Sequence, residues 1–429
     1  MKTFLYSAAC CAALTLHAGA RAQSPGAEFR LLDVPPGYPM SVGVALSDDA
    51  GVTVGQAWFC ETGCFISVRW DAQGRVSRFP AEPGAWGFLM DVSADGRTIV
   101  GLNAPPGSQT AQVGAWRDGA FQVLPILPNS WSPWAVAVSA DGNVIAGFIT
   151  LAHPQPRYGV VRWVKNRIES LADAPGPASA QYAYGIDGQG RFVLGNGLGS
   201  GGLHAFRVDK RVEVLGGLPG ARRTENGAVA ANHDGSRIVG RAQTADPRSA
   251  GEAFLWSNPT GMIGLGFPPY YPYSSQSLAI ARHLPVVAGE NPTATLYRWI
   301  GFLWDPVRGK RYVNDILDSL RVDRQGWDVE RINDINHDGT LMTGIARRGF
   351  TDDRRAFLVR LPPWCWADCT GDDVVDFSDL LCFLNRFERA QDPRANPIDF
   401  FYCDVAPDDE IDFNDFLAFL NLYNKGCGQ

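Results

Sequence analysis

Short apolar runs bounded by polar turns recur through residues 23–361. In one unit, Ala135 to Val138 leads into Ser139-Ala140-Asp141-Gly142, and Asn143 to Gly147 leads out of it. A third run ends at Val161-Arg162-Trp163, and a fourth holds Leu171-Ala172. Runs of this length, rich in aromatic and β-branched residues and bounded by Gly, Asp and Pro, predict strands, four to a unit. Asp-Gly suits a tight hairpin because Gly accepts positive φ without a Cβ penalty.

The unit repeats. Ser93-Ala94-Asp95-Gly96 leads to Gly101, Asn232-His233-Asp234-Gly235 to Gly240, and Asn336-His337-Asp338-Gly339 to Gly344. Weaker copies close at Gly55, Gly195 and Gly289, so the closing glycines stand 45 to 55 residues apart. The third runs end at Trp70, Trp116, Trp163, Val208, Trp256, Trp304 and Val359, again seven. Four short strands at this period predict β-propeller blades. A glycine closing the second strand leaves room for close backbone approach.

The ends of the region sharpen the prediction. Phe29-Arg30-Leu31-Leu32 precedes the first turn and matches the fourth-run segments Phe121-Gln122-Val123-Leu124 and Val212-Glu213-Val214-Leu215. The seventh unit has no such segment after Val359. The N-terminus is therefore expected to supply the missing strand, closing the ring and hiding its edges. Gly251-Glu252-Ala253-Phe254-Leu255-Trp256, Leu203-His204-Ala205-Phe206 and Arg355-Ala356-Phe357-Leu358 resemble the His-Ala-Phe repeats of bacterial extracellular proteins. That resemblance implies a propeller-like fold and no particular activity.

Composition adds compartment. Lys2, the apolar stretch Phe4 to Leu16 and Ala20-Arg21-Ala22 read as a signal peptide over residues 1–22, so a secreted or cell-surface protein is expected. No later run approaches the length of a membrane helix. Seven cysteines remain, with Cys60 and Cys64 close together and Cys365, Cys369, Cys382, Cys403 and Cys427 in the last 65 residues. Export permits disulfides, and such crowding marks a small domain that needs them. From Cys365 onward 14 acidic residues face 4 basic ones, while no basic stripe points to nucleic acid.

The acidic excess has a pattern. Asp368-Cys369-Thr370-Gly371-Asp372-Asp373-Val374-Val375-Asp376-Phe377-Ser378-Asp379 returns 36 residues later as Asp404-Val405-Ala406-Pro407-Asp408-Asp409-Glu410-Ile411-Asp412-Phe413-Asn414-Asp415. Each copy precedes an apolar helical stripe. Acidic residues at loop positions 1, 5, 9 and 12, with a carbonyl at position 7, are what a hard cation needs around it. One calcium ion would take Asp368, Thr370, Asp372, the Val374 carbonyl, Asp376 and Asp379. The second would take Asp404, Asp408, the Glu410 carbonyl, Asp412 and Asp415. Ala406 offers no side-chain ligand, so the second site is expected to be weaker. The module, residues 362–429, resembles a cysteine-containing type I dockerin, which implies attachment to a cohesin-like partner. Asp373 and Asp409 depart from the family's Gly at position 6.

The sequence thus predicts a 23–361 all-β, seven-bladed propeller and a small α-helical, EF-hand-like module. Asp95, Asp141, Asp234 and Asp338 are read as turn-setting residues. No catalytic residue is assigned, because no Gly-x-Ser-x-Gly elbow or His-Glu-x-x-His occurs. Carboxylate pairs such as Asp187 with Glu213, or Glu290 with Asp305, would serve only if the fold joined them. Phe267 to Tyr273, Trp131, Trp134, Trp299 and Trp327 stand off the repeat pattern and suit contact with a polysaccharide or peptide. The expected function is a non-catalytic binding propeller anchored through its calcium module, against an enzyme acting on polysaccharide or a structural surface protein.

Overall fold

The computed structural model describes residues 26–59, 65–80, 86–108, 110–152, 155–221, 226–246, 248–267, 274–292, 298–349 and 351–427. The signal segment 1–22, Cys60, Cys64, His153 and residues 268–273 of the aromatic run fall outside them. Seven four-stranded antiparallel sheets form the blades. Blade 3 is typical: Ser130–Val138, Val144–Leu151, Arg157–Val164 and Arg167–Ser170, counted outward from the centre.

The Asp-Gly phrase is a turn locked by its own side chains. Ser139 Oγ donates to Asp141 Oδ1 at 2.6 Å, and the same carboxylate oxygen accepts the Asn143 amide at 2.9 Å. Ser93 and Asp95 repeat the bond at 2.6 Å. Asn336 and Asp338 use the same geometry, Asn336 Oδ1 accepting the Leu341 amide at 3.0 Å. Gly142 has φ 73°. The recurring aspartates therefore belong to hairpins.

The closing glycines have one shared cause. Every inner strand carries a bulge opposite its glycine, and the carbonyl just before the bulge leans over it. A Cβ on Gly147 would meet the Trp134 carbonyl at 1.9 Å; on Gly55, Gly101, Gly195, Gly240, Gly289 and Gly344 the matching contacts are 1.8–2.1 Å. Backbone cannot yield that far, so any side chain here would break the bulge.

The ring closes as expected. Strand Glu28–Leu31 pairs antiparallel with Arg354–Arg360, Phe29 opposite Val359 and Leu31 opposite Phe357. Leu32 is buried like Leu124, Leu171, Leu215 and Leu265, the marks of the other fourth runs. Two of the third-strand tryptophans tie their blade to its predecessor: Trp163 Nε1 donates to the Pro125 carbonyl and Trp70 Nε1 to the Asp33 carbonyl, both at 2.7 Å.

A hydrogen-bonded girdle links the blades at the Asp-Gly end. Asp48 N–H donates to Ala94 O, Ala94 to Ala140 O, Ala140 to Gly188 O, Gln189 to His233 O, His233 to Arg282 O and His283 to His337 O, all at 2.8–3.1 Å. The seventh link differs: His337 N–H donates to the side chain of Asp48, at 3.0 Å on Oδ1.

Helix α1 (Val313–Ser319) sits between blades 6 and 7. The C-terminal region holds α2 (Phe377–Ala390), α3 (Pro397–Cys403) and α4 (Phe413–Lys425). Asp376 with Asp379, and Asp412 with Asp415, form capping boxes at the starts of α2 and α4. The two copies pack through matched residues, Phe383 stacking on Phe419 with ring centres 3.7 Å apart. Disulfides join Cys365 to Cys427 and Cys369 to Cys382, leaving Cys403 as a buried thiol. Helix α3 falls between the two helices expected from the acidic repeats, and its Phe400 and Phe401 bury against Val239, Leu255, Ile280 and Phe302 of blades 5 and 6.

Candidate functional site

The bulges build a channel. The bulged residues Val44, Met90, Val136, Tyr184, Val229, Leu278 and Asn333 all face a central cavity of about 770 Å³. The girdle closes in on one end. The other end opens on the face away from the helical module.

The open mouth is set by a second ring of equivalent positions, each thirteen residues before a closing glycine: Val42, Phe88, Trp134, Tyr182, Gly227, Gln276 and Arg331. Blades 2 to 4 place aromatics there. The arc runs from Phe65 to Phe88 (5.4 Å between centres), to Trp134 (6.5 Å), to Phe148 (6.4 Å) and to Tyr182 (5.6 Å), where Tyr158 lies at 4.6 Å. Trp131 and Tyr158 flank it, 45% and 41% exposed. Opposite, blades 6 and 7 place polar groups. Arg331 grips the buried Glu290, its terminal nitrogen at 2.7 Å, and Gln276 donates to the same carboxylate.

Deeper in the channel stand two carboxyl groups at another pair of equivalent positions. Asp91 accepts the Val138 amide of the next blade at 2.7 Å, and Asp334 accepts the Leu46 amide at 2.8 Å. Burial, and then the Asp334 charge, push Asp91 up to about 8. Burial raises Asp334 to about 6, with the Leu46 amide and Arg282 pulling the other way. Arg282 also pairs with Asp48 in the girdle. Each carboxyl group accepts one amide from its own strand and one from a neighbour, so these acids staple blades.

The carboxylate pairs considered from sequence go to separate partners. Asp187 accepts the Phe192 amide, Glu213 pairs with Arg207, Glu290 with Arg331 and Asp305 with Arg311. Trp134 belongs to the mouth, whereas Trp327 is buried in the core of blades 6 and 7. Fixed spacing from the closing glycine, applied to the inner strand, would have found the whole mouth ring.

In the C-terminal loops the acidic side chains bond the loops' own backbone. Asp373 and Asp409 take φ 67° and 65°, the left-handed conformation of position 6. Asp368 Oδ1 accepts the Gly371 and Asp372 amides at 2.7 and 3.1 Å. Asp379 accepts the Thr370 amide and hydroxyl at 2.9 and 3.0 Å, and Asp415 accepts the Ala406 amide at 2.9 Å. Asp372 and Asp408 accept the amides of Val374 and Glu410, while Asp376 and Asp412 cap their helices. Among the described residues no three His, Cys, Asp or Glu stand close enough to hold a metal as arranged. The donor set itself is all oxygen and suits a hard cation.

No protein-family model and no curated protein matches the chain. Solved structures with a similar course include an oligogalacturonate lyase in complex with manganese (12% identity, 80% of this chain and 95% of that one, TM-score 0.50). TolB from Acinetobacter baumannii follows at 12% identity and TM-score 0.38, over 63% of this chain. This chain spans 62% of the length of that TolB. Likeness at such identity bears on the fold alone; the seven blades and their closure by the N-terminal strand follow from the strand pairing itself.

Proposed function

We propose that the protein is a secreted, non-catalytic propeller that binds a saccharide at the channel mouth and is anchored through its C-terminal module. One observation carries the reading: of the seven equivalent mouth positions, three neighbours carry aromatics (Phe88, Trp134, Tyr182) and two on the opposite side carry polar groups (Gln276, Arg331), with Val42 and Gly227 between the arcs. Aromatic faces stack against the C–H faces of sugar rings, and the facing Gln276 amide and Arg331 guanidinium, oriented by the buried Glu290, exchange hydrogen bonds with hydroxyls. The Glu290–Arg331 pair is neutral as a unit, which suits hydroxyls better than a charged ligand.

A glycan array with the full chain, followed by calorimetry on each hit, tests the proposal. Trp134→Ala is expected to weaken binding by about thirtyfold, as truncating an aromatic hot spot does. An array with no hit, or a variant that binds like the parent, sinks it.

The dockerin resemblance supports the anchoring role and calcium as the cofactor, whose charge would balance the clustered carboxylates. So does the outer face of the module. Phe377 and its copy Phe413 are 64% and 66% exposed, beside exposed Leu381 and Leu417. A cohesin-like partner would cover that symmetric apolar face. Two disulfides suit an oxidising compartment. Among the described residues no helix is long and apolar enough to cross a membrane.

A further inference from the structure

The helical module lies with both acidic loops against the propeller, and in each loop an arginine of the propeller reaches the position-1 carboxylate. Arg308 of blade 6 donates to Asp368 Oδ2 at 2.6 Å and to Asp373 at 3.0 Å. Arg237 of blade 5 donates to Asp404 Oδ2 at 2.8 Å and to its carbonyl at 3.0 Å. The arginines come from different blades and different turns, yet they meet equivalent residues of the duplicated module. Arg237 is only 2% exposed on its side chain, and its Nε has no hydrogen-bond partner among the described residues. In the first loop the contact takes in position 6 as well, Asp373 extending the grip on Arg308.

We propose that Arg308 and Arg237 are built-in competitors of the cation, so that cation loading of the two loops and docking of the module on the propeller oppose each other. The inference rests on the loops being cation sites and is independent of the saccharide reading. A carboxylate offers about four lone-pair sites. On Asp368 four donors are present: the Gly371, Asp372 and Asp373 amides and Arg308. A cation that takes this oxygen must displace one of them. The amides are fixed by the loop's own fold. The guanidinium is held from outside and repels an incoming cation. Without its arginine the loop is free to take the ion; with the ion in place the module loses two of its charged ties to blades 5 and 6.

Calcium titrated into the full chain by calorimetry is the test, with Arg308→Met, Arg237→Met and the double variant beside the parent. Methionine keeps the apolar stem of each side chain. Each single variant is expected to bind calcium about ten- to a hundredfold more tightly at its own loop, the scale of one charge-assisted hydrogen bond. Arg389→Met removes the same charge from the module without touching a loop carboxylate, and is expected to stay within about twofold of the parent. Hydrogen exchange on the parent chain gives a second readout: calcium should speed exchange in α3, whose Phe400 and Phe401 are the buried contact. If Arg237→Met fails to fold, Arg308→Met, on the more open side, carries the test. Unchanged or weaker affinity in the arginine variants would mean that the guanidinium supports the loaded loop, and would overturn the proposal. So would the absence of calcium binding in every variant at millimolar concentration, or unaltered exchange in α3.

Discussion

Alanine at both Phe29 and Leu32 is expected to lower the unfolding midpoint by about 10–20 °C or to abolish a cooperative transition. Phe29 stacks on Phe357 with ring centres 6.1 Å apart, within the core of blades 6 and 7. Leu32, 1% exposed, belongs to the cluster around Trp70 in blade 1. One short segment therefore feeds two cores on either side of the closure. Truncating each residue costs about 2–5 kcal/mol, and the sum is comparable with the whole stability of a typical domain. The loss should exceed that of Leu124→Ala, which truncates one leucine of a covalently continuous blade. Thermal unfolding followed by circular dichroism decides it, and a shift of only a few degrees would show that the ring holds without its closing strand.

Asp91→Asn is expected to change how stability depends on pH. Asp91 titrates at about 8 in the folded protein, well above an ordinary carboxylate. A raised folded-state pKa means that the native state holds the proton more tightly than the unfolded chain. The resulting stability is fully present below the unfolded value and is lost as pH rises through about 8. Above that, the ionised group remains as a buried charge beside Asp334. Asparagine keeps an acceptor for the Val138 amide and carries no charge. The variant should gain on the parent steadily between about pH 4 and 8 and hold that gain beyond, by on the order of a few kcal/mol. Melting temperatures of the two proteins across this range give the difference directly. Parallel curves would place the titration elsewhere.

Much of this architecture was legible from the chain because each repeat restates the same physical constraint. Asp-Gly turns, closing glycines and third-strand tryptophans return at one spacing, and the unmatched Phe29–Leu32 segment pointed to ring closure. The acidic loops were legible for the same reason, being two aligned copies. The mouth was hidden because its seven positions share no residue type. Val42, Phe88, Trp134, Tyr182, Gly227, Gln276 and Arg331 match only in place, and the bulge that sets their place leaves no mark beyond the glycine opposite it. The arginine contacts were hidden for another reason. Arg308 and Asp368 are 60 residues apart, and only the docking of the module brings them together.

Six of the seven girdle links run from main chain to main chain, so truncating a side chain deletes none of them. The seventh, between His337 and the Asp48 side chain, falls at the same seam that the N-terminal strand fastens on the outside. Around it the seam relies on side chains: Asn333 donates to the Gly43 carbonyl, Asn336 to the Asp48 carbonyl and Asp334 accepts the Leu46 amide. Mechanically the propeller is a hoop with one clasp. Pulled apart or forced wider, it has a set place to part first, and Asp48 is the pin of that clasp.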